Sequence, residues 1–292
     1  MVDPEDEWMK VLIEQFNRVP DEDFEGYSPE EMGSLFDFLK DPLSPVKINV
    51  LSDRAYEAIP LLNQVCLLMS ILDEQQTLAL TKAGNLPPKW VKALYVLGPP
   101  EPTVEISPKN VIKEQDTIAV HLARVLLSGF HLSKERNNKL SLTQQGKRLL
   151  GNKPALVHGL LDVLANKFNW GYFDGFDNSD IGRMGLGFTL VLLAKYGNTQ
   201  QTLEFYADKY FKAFPGLLGK HNIPDPYVSA EDRAKYCYCF RNFERYLSYL
   251  GLVDLITKPS SYGFKALVKK TPLFDQLISV LKPQRNGNRV LH

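Results

Sequence analysis

Three stretches of this chain share one internal pattern, and that repetition limits the possible folds more than any other feature. Each stretch places an apolar helix before a short β-prone segment with a Leu/Val–Thr or Lys–Thr step, and a second helix follows. The first runs from the apolar residues 61–68 to Leu78-Ala79-Leu80-Thr81-Lys82-Ala83-Gly84 and on through 87–97. The second runs from 117–127 through Gly129-Phe130-His131-Leu132 to Leu140-Ser141-Leu142-Thr143-Gln144-Gln145-Gly146, with its last helix opening near Lys147. The third joins 230–250, Gly251-Leu252-Val253-Asp254, Ala266-Leu267-Val268-Lys269-Lys270-Thr271-Pro272 and a final helix over 273–281.

A helix, a hairpin and a helix form the smallest winged-helix core, with the hairpin as the wing. In the second stretch, 134–139 contains Asn137-Asn138, which suits a tight turn because Asn tolerates positive φ. Thr143 and Thr271 stand where a helix N-cap is wanted. The competing reading is a plain helical bundle with incidental hairpins. The expected class is therefore mainly α with short β-hairpins (α+β): repeated winged-helix-like units plus a helical insert.

The pattern sets a division of the chain. Residues 1–50 form an acidic helical segment, whose first helix carries Trp8, Leu12 and Phe16 on one stripe with Met9 and Ile13 beside it. Ser28-Pro29-Glu30-Glu31 reads as a capping box opening a second helix. Winged-helix-like units follow at 51–98 and 111–152, a helical insert at 153–227, a third unit at 228–282 and a tail at 283–292. Residues 98–102 and 219–227 are the linkers.

Apolar residues are 44% of the 292 and aromatics 11%, enough for real cores. The longest apolar stretches, such as 186–194, are about half of the ~20 residues a membrane helix needs. The acidic start lacks a basic region before an apolar run, so no secretory signal is expected. Cys66, Cys237 and Cys239 make no disulfide framework, which fits a reducing, cytoplasmic setting. Net charge is zero, but 1–59 carries about −10, 111–153 about +5 and 228–292 about +6. Such polarity fits an acidic end docking on basic parts, or a basic face meant for nucleic acid.

Several segments in order carry a resemblance: Phe24-Glu25-Gly26-Tyr27-Ser28-Pro29-Glu30-Glu31-Met32, Leu80-Thr81-Lys82-Ala83-Gly84-Asn85-Leu86-Pro87, 140–150, Phe168-Asn169-Trp170-Gly171-Tyr172, 205–215 and Lys269-Lys270-Thr271-Pro272-Leu273-Phe274. Together they resemble an uncharacterised family of bacterial, Bacteroidetes-type hypothetical proteins, over nearly the whole chain. Leu-Thr-Lys-x-Gly-Asn-Leu-Pro is the most specific element. The resemblance implies a bacterial origin and brings no catalytic residues. Some similar proteins carry a Cys-rich zinc motif that this chain lacks.

Cys237 and Cys239 on one helix point about 200° apart and cannot share an ion, so buried thiols are the better reading. Asp174, Asp177, Asn178 and Asp180 miss the order of a Ca²⁺ loop, because Ile181 precedes Gly182 and no Glu closes it. Gly182-Arg183-Met184-Gly185-Leu186-Gly187 lacks the Lys-Ser/Thr ending of a phosphate loop, which leaves close packing through Gly. No nucleophile elbow or His-Glu-x-x-His motif is present, so no catalytic residue, metal or cofactor is expected.

The remaining candidates are contact residues. Lys134, Arg136 and Lys139 sit at the second wing tip, with Lys147 and Arg148 just beyond. On the 230–250 helix, Tyr236, Phe240, Phe243, Leu247 and Leu250 read as the core face at 100° per residue. Tyr238, Arg241, Asn242, Arg245 and Tyr249 then gather on another stripe, which an exposed face would offer to phosphates or to a protein. The helix of the first stretch, 61–72, is nearly all apolar and must be scaffold. The expectation is a non-enzymatic binding or assembly module with a protein partner or self-association, and no membrane or small-molecule ligand. The alternative is a DNA-binding regulator using the second wing and the Arg241/Arg245 face.

Overall fold

The computed structural model describes residues 4–99, 101, 112–176, 180–220, 228–256 and 266–284. In chain order the helices and strands are α1 (Pro4–Asn17), α2 (Pro29–Phe36), β1 (Val46–Ile48), α3 (Asp53–Tyr56), α4 (Pro60–Gln75), β2 (Leu78–Ala79), α5 (Pro88–Leu97), α6 (Ile118–Gly129), β3 (Ser133–Arg136), β4 (Lys139–Leu142) and α7 (Gln144–Leu149). There follow α8 (Lys153–Asp162), which continues as a π-helical turn over Val163–Lys167, then α9 (Gly171–Asp174), α10 (Leu186–Tyr196), β5 (Gln201–Thr202) and α11 (Leu203–Ala213). The last are α12 (Ala230–Cys239), which winds on as a π-helix over Phe240–Leu247, then β6 (Val253–Ile256), β7 (Leu267–Lys270), α13 (Pro272–Leu277) and β8 (Ile278–Val280). The architecture is mainly α with small antiparallel sheets of two or three strands.

Local chemistry sets most boundaries. Ser28 and Glu31 form the expected capping box, with Pro29 in the first turn of α2. Thr143 accepts from the Gly146 N–H at the start of α7, and Asn137 and Asn138, at φ 52° and 56°, make the two-residue turn between β3 and β4.

The chain divides into two compact units. One comprises Val50–Asp174 and Glu244–Val253; the other, the terminal unit, comprises Met1–Asn49, Gly175–Phe243 and Asp254–His292. In the terminal unit, β1 pairs antiparallel with β8, and the Tyr27 hydroxyl donates to the Leu281 carbonyl at 2.6 Å, so the two ends of the chain are held together.

Strand pairing turns the three patterned stretches into two repeats of one element order. In the first repeat α4, β2, α5, α6, β3 and β4 follow one another and the sheet order is β2-β4-β3, with Leu78 opposite Leu140 and Ala79 opposite Lys139. The stretches assigned to 51–98 and 111–152 thus complete a single sheet. A two-residue β2 has no hairpin partner of its own and needs a strand from farther along the chain. In the second repeat α10, β5, α11, α12, β6 and β7 appear in the same order, and the sheet order is β5-β7-β6, with Gln201 opposite Val268. The first half of this repeat comes from the segment read as a helical insert.

The repeats agree in detail. After α6, Leu132 N–H donates to Leu127 O and His131 N–H to Ser128 O, with His131 at φ 56°. After α12, Leu252 N–H donates to Leu247 O and Gly251 N–H to Ser248 O, with Gly251 at φ 69°. Both are Schellman closures, the 6→1 and 5→2 bonds that end a helix on a left-handed residue.

Candidate functional site

The β3–β4 hairpin presents the wing residues together. Opposed residues of an antiparallel pair point to the same side, as do residues two apart on one strand. Arg136 opposes Lys139 and Lys134 opposes Ser141, so Lys134, Arg136 and Lys139 share one face. The other face carries Ser133, Leu140 and Leu142, all buried. The three basic side chains are exposed, and among the described residues none is in an ion pair. Lys147 and Arg148 on α7 are exposed as well. Aligning the repeats on Leu132 with Leu252 and on Leu140 with Val268 sets Asp254, Ile256 and Leu267 at the positions of Lys134, Arg136 and Lys139. A fold that accepts Asp, Ile and Leu there does not need the three cations.

Helix α6, which precedes this hairpin, offers fewer unengaged groups. His121 Nδ1 lies 2.8 Å from Glu114 Oε1, and Arg124 Nη1 donates to Glu114 Oε2 at 2.9 Å and to the Gly84 carbonyl at 2.7 Å. Arg124 Nη2 reaches Glu135 at 3.0 Å. Glu114 is 1% exposed. Burial works to raise its carboxyl, but the bonds from His121, the Leu86 N–H and Arg124 outweigh that and hold it below its ordinary value. Glu101 caps the helix start, its Oε1 accepting from the Ile118 and Ala119 N–H groups at 3.1 and 3.2 Å. Burial pushes the Glu101 carboxyl up. Neither carboxylate was singled out by the sequence; Glu114 lies in a turn ahead of α6, and its role depends on the chain folding so that it meets His121, Arg124 and the Leu86 N–H, 28 residues away.

The stripe expected to be exposed on the 230–250 helix is instead largely buried. Tyr238 is 0% exposed and Arg241 2%. Tyr238 shares a hydrogen bond with Thr189 at 3.1 Å, and Arg241 donates to the Ile181 carbonyl at 2.9 Å and to the Phe176 carbonyl at 3.5 Å. Asn242 bonds back to the Tyr238 carbonyl at 3.2 Å. Tyr249, also buried, accepts a short hydrogen bond from Arg245 and donates to Glu101 Oε1 at 3.3 Å. Tyr236, assigned to the core face, is 40% exposed. Two physical reasons account for the reversal. Aromatic and apolar residues surround the helix on nearly every side, so amphipathicity does not fix its buried face. From Phe240 the i→i+5 winding also turns less than 100° per residue, so an α-helical projection drifts. Lys235, at the edge of that stripe, is paired with Asp208 at 2.8 Å and Glu231 at 2.9 Å.

An apolar cleft of about 460 Å³ opens beside α6, lined by Val125, Leu126 and Gly129 and by Val163, Lys167 and Phe168 of the π turn. Helix α1 presents a second apolar surface, because every described side chain over 7–22 is exposed.

The other constellations carry structural roles. Cys237 and Cys239 are buried and form no disulfide. Among the described residues no group of three or more His, Cys, Asp or Glu is placed to hold a metal ion, and no helix is long and apolar enough to cross a membrane. Asp177 and Asn178 of the acidic loop lie outside the described residues. Glycines in the 182–187 segment serve close packing: a Cβ on Gly187 would stand 2.4 Å from the Leu35 carbonyl oxygen, and one on Gly185 2.5 Å from the Phe214 ring.

Residues 57–155 match the family model described as the Y4jL N-terminal domain. The match spans the whole first repeat and α7, about a third of the chain. No curated protein and no solved structure matches.

Proposed function

We propose that this chain is a non-enzymatic binding and assembly module built on two winged helices, and that its partner is a protein. The order helix, strand, helix, helix, hairpin, with the first strand beside the second strand of the hairpin, supports the winged-helix reading of both repeats. One observation carries the choice of partner. In the usual docking of such domains the helix before the wing reads base edges with free polar side chains. Here α6 has His121 and Arg124 engaged by buried Glu114, and α12 has Arg241 engaged by backbone carbonyls. The groups that would read a major groove are already used by the fold. Among the described residues, the basic hairpin face of the first repeat and the apolar stripe of α1 are exposed, and apolar stripes serve protein contacts. That Cys66, Cys237 and Cys239 form no disulfide supports a cytoplasmic setting.

A second reading is DNA binding through phosphate contacts by Lys134, Arg136 and Lys139, favoured by their shared face and lack of ion pairs. A shift assay on random duplex DNA at about 50 mM salt separates the two. The protein-partner reading expects no salt-sensitive micromolar complex, together with one stoichiometric protein recovered by cross-linking and mass spectrometry. A complex that disappears in Lys134→Ala/Arg136→Ala/Lys139→Ala would overturn it in favour of DNA.

A further inference from the structure

The exposed face of the β3–β4 hairpin carries an arrangement of charge that the sheet itself does not require. Arg136 and Lys139 are directly opposed, their Cβ atoms roughly 5 Å apart, and like charges so placed repel. Lys134 stands on the same face two residues along β3, about 7 Å from Arg136. The neighbours on this face are small, Ser141 opposite Lys134 and Ala79 opposite Lys139, so nothing bulky covers the cations. Glu135 lies on the other face and is bonded to Arg124. Where the second repeat has Ile256 and Leu267, the first keeps an uncompensated cationic pair. An anion placed between the two replaces their repulsion by two attractions.

Charge and spacing decide the kind of anion. DNA gains affinity in proportion to the cations it meets, and three on a chain of zero net charge offer it little. Cations separated by about 7 Å along a strand match alternate residues of an extended peptide, whose side chains on one side repeat at that distance. A carboxylate also accepts the Arg136 fork through two parallel bonds. The chain's own acids do not suit the face. At the acidic end Asp23 is paired with Lys212, Glu25 with Lys195 and Lys209, Glu30 with Arg18 and Asp37 with Lys40. The described carboxylates of α1, Glu7 and Glu14, lie two helical turns apart, about 10 Å, which overshoots the spacing of the face. A second copy brings the same acids, engaged in the same way.

We propose that the Lys134/Arg136/Lys139 face binds an extended segment of a different protein that carries Asp or Glu at alternate positions. One carboxylate sits between Arg136 and Lys139, and the next meets Lys134 with the Ser141 hydroxyl beside it. This deepens the protein-partner reading and rests on it.

The test is fluorescence anisotropy with the full chain and a labelled peptide of alternating Glu and Thr, at about 50 mM salt. The wild type is expected to bind it with a Kd on the order of 100 µM. Lys134→Ala/Arg136→Ala/Lys139→Ala is expected to weaken binding at least tenfold with an unchanged circular-dichroism melt. Arg136→Ile/Lys139→Leu, the pair that the second repeat already accommodates, is expected to act in the same direction and guards against a variant that merely misfolds. Lys89→Ala/Lys92→Ala, at two exposed cations of α5, should change affinity less than twofold. A wild type that does not bind the peptide, or variants of the face that bind it as well, overturns the proposal. Glu7→Gln/Glu14→Gln should leave the affinity unchanged; a threefold gain would place α1 of this or a second copy on the face and overturns it too. Random duplex DNA bound more tightly than the peptide, and released by the triple variant, overturns both the proposal and the protein-partner reading. A peptide that fails, with one stoichiometric protein cross-linked equally by the wild type and the triple variant, defeats the proposal alone.

Discussion

The two repeats share their sheet order and the backbone bonds that close the helix before the wing, yet they fill their interiors differently. The first packs aliphatic side chains, among them Leu61, Val65, Leu68, Val91, Leu94 and Val120. Its charged residues collect around Glu114. The second packs rings: Tyr206, Tyr210, Tyr238 and Phe243 are all fully buried, with Tyr210 and Tyr238 stacked at 4.1 Å. At the start of α7 the first repeat has Gly146, four residues from Leu142; at the corresponding place before β8 the second has Phe274, and at the position of Leu142 it has Lys270, paired with Asp275 at 2.7 Å. A shared topology therefore tolerates exchange of many interior side chains, while Leu127 and Leu132 keep their counterparts in Leu247 and Leu252. What differs at the surface, above all the basic wing of the first repeat, is free of that topology and available for function.

The comparison breaks most visibly if the polar groups of the helices before the wings are removable. Arg241→Ala leaves the Ile181 and Phe176 carbonyls without their buried donor and opens a cavity, and should destabilise by about 3 kcal/mol in urea unfolding. A change below about 0.5 kcal/mol would return Arg241 to the list of contact residues. Gly146→Ala comes next. Its Cβ would stand 2.1 Å from the Leu132 carbonyl oxygen, so α7 must shift, at a cost of about 1–3 kcal/mol. An unperturbed melt would mean that the first repeat tolerates a side chain there as the second does.

Acid titration sharpens the contrast further. The folded Glu114 carboxyl lies below its ordinary 4.5, so the stability it supplies is present above that pH and is lost as pH falls through the folded value. Glu114→Gln should lower stability at pH 7 by roughly 1–3 kcal/mol and flatten the acid limb of the unfolding curve. An acid limb of unchanged slope would assign it to other carboxylates, such as Glu25, held down by Lys195 and Lys209 despite its burial. The smallest effect belongs to Lys134→Ala/Arg136→Ala/Lys139→Ala, which should change stability by no more than about 0.5 kcal/mol per site. A larger loss would show that the wing cations serve the fold after all.

Much of this was legible residue by residue. The Ser28 capping box, the Asn137-Asn138 turn and the Thr143 N-cap depend on neighbours a few positions away, and short-range sterics and hydrogen bonding decide them.

Long-range choices were not legible. Whether Leu78 opens its own wing or joins Leu140 depends on which strand reaches it, and two short β-prone segments look alike until the sheet is assembled. Which side of α12 faces inward could not be read from a helix ringed with tyrosine and phenylalanine, whose winding changes at Phe240. Glu101 and Glu114 acquire their roles only when the chain folds back on α6. Sequence by itself determined the class of fold, the Ser28 and Thr143 caps and the Asn137-Asn138 turn, because those are set by φ/ψ preference and short-range hydrogen bonding, whereas Thr271 stands at the N-cap position of α13 without a side-chain cap bond. Only the tertiary structure decided that there are two repeats rather than three and that Tyr238 and Arg241 lie inside. Those outcomes turn on which apolar surfaces meet, a competition settled across the whole chain.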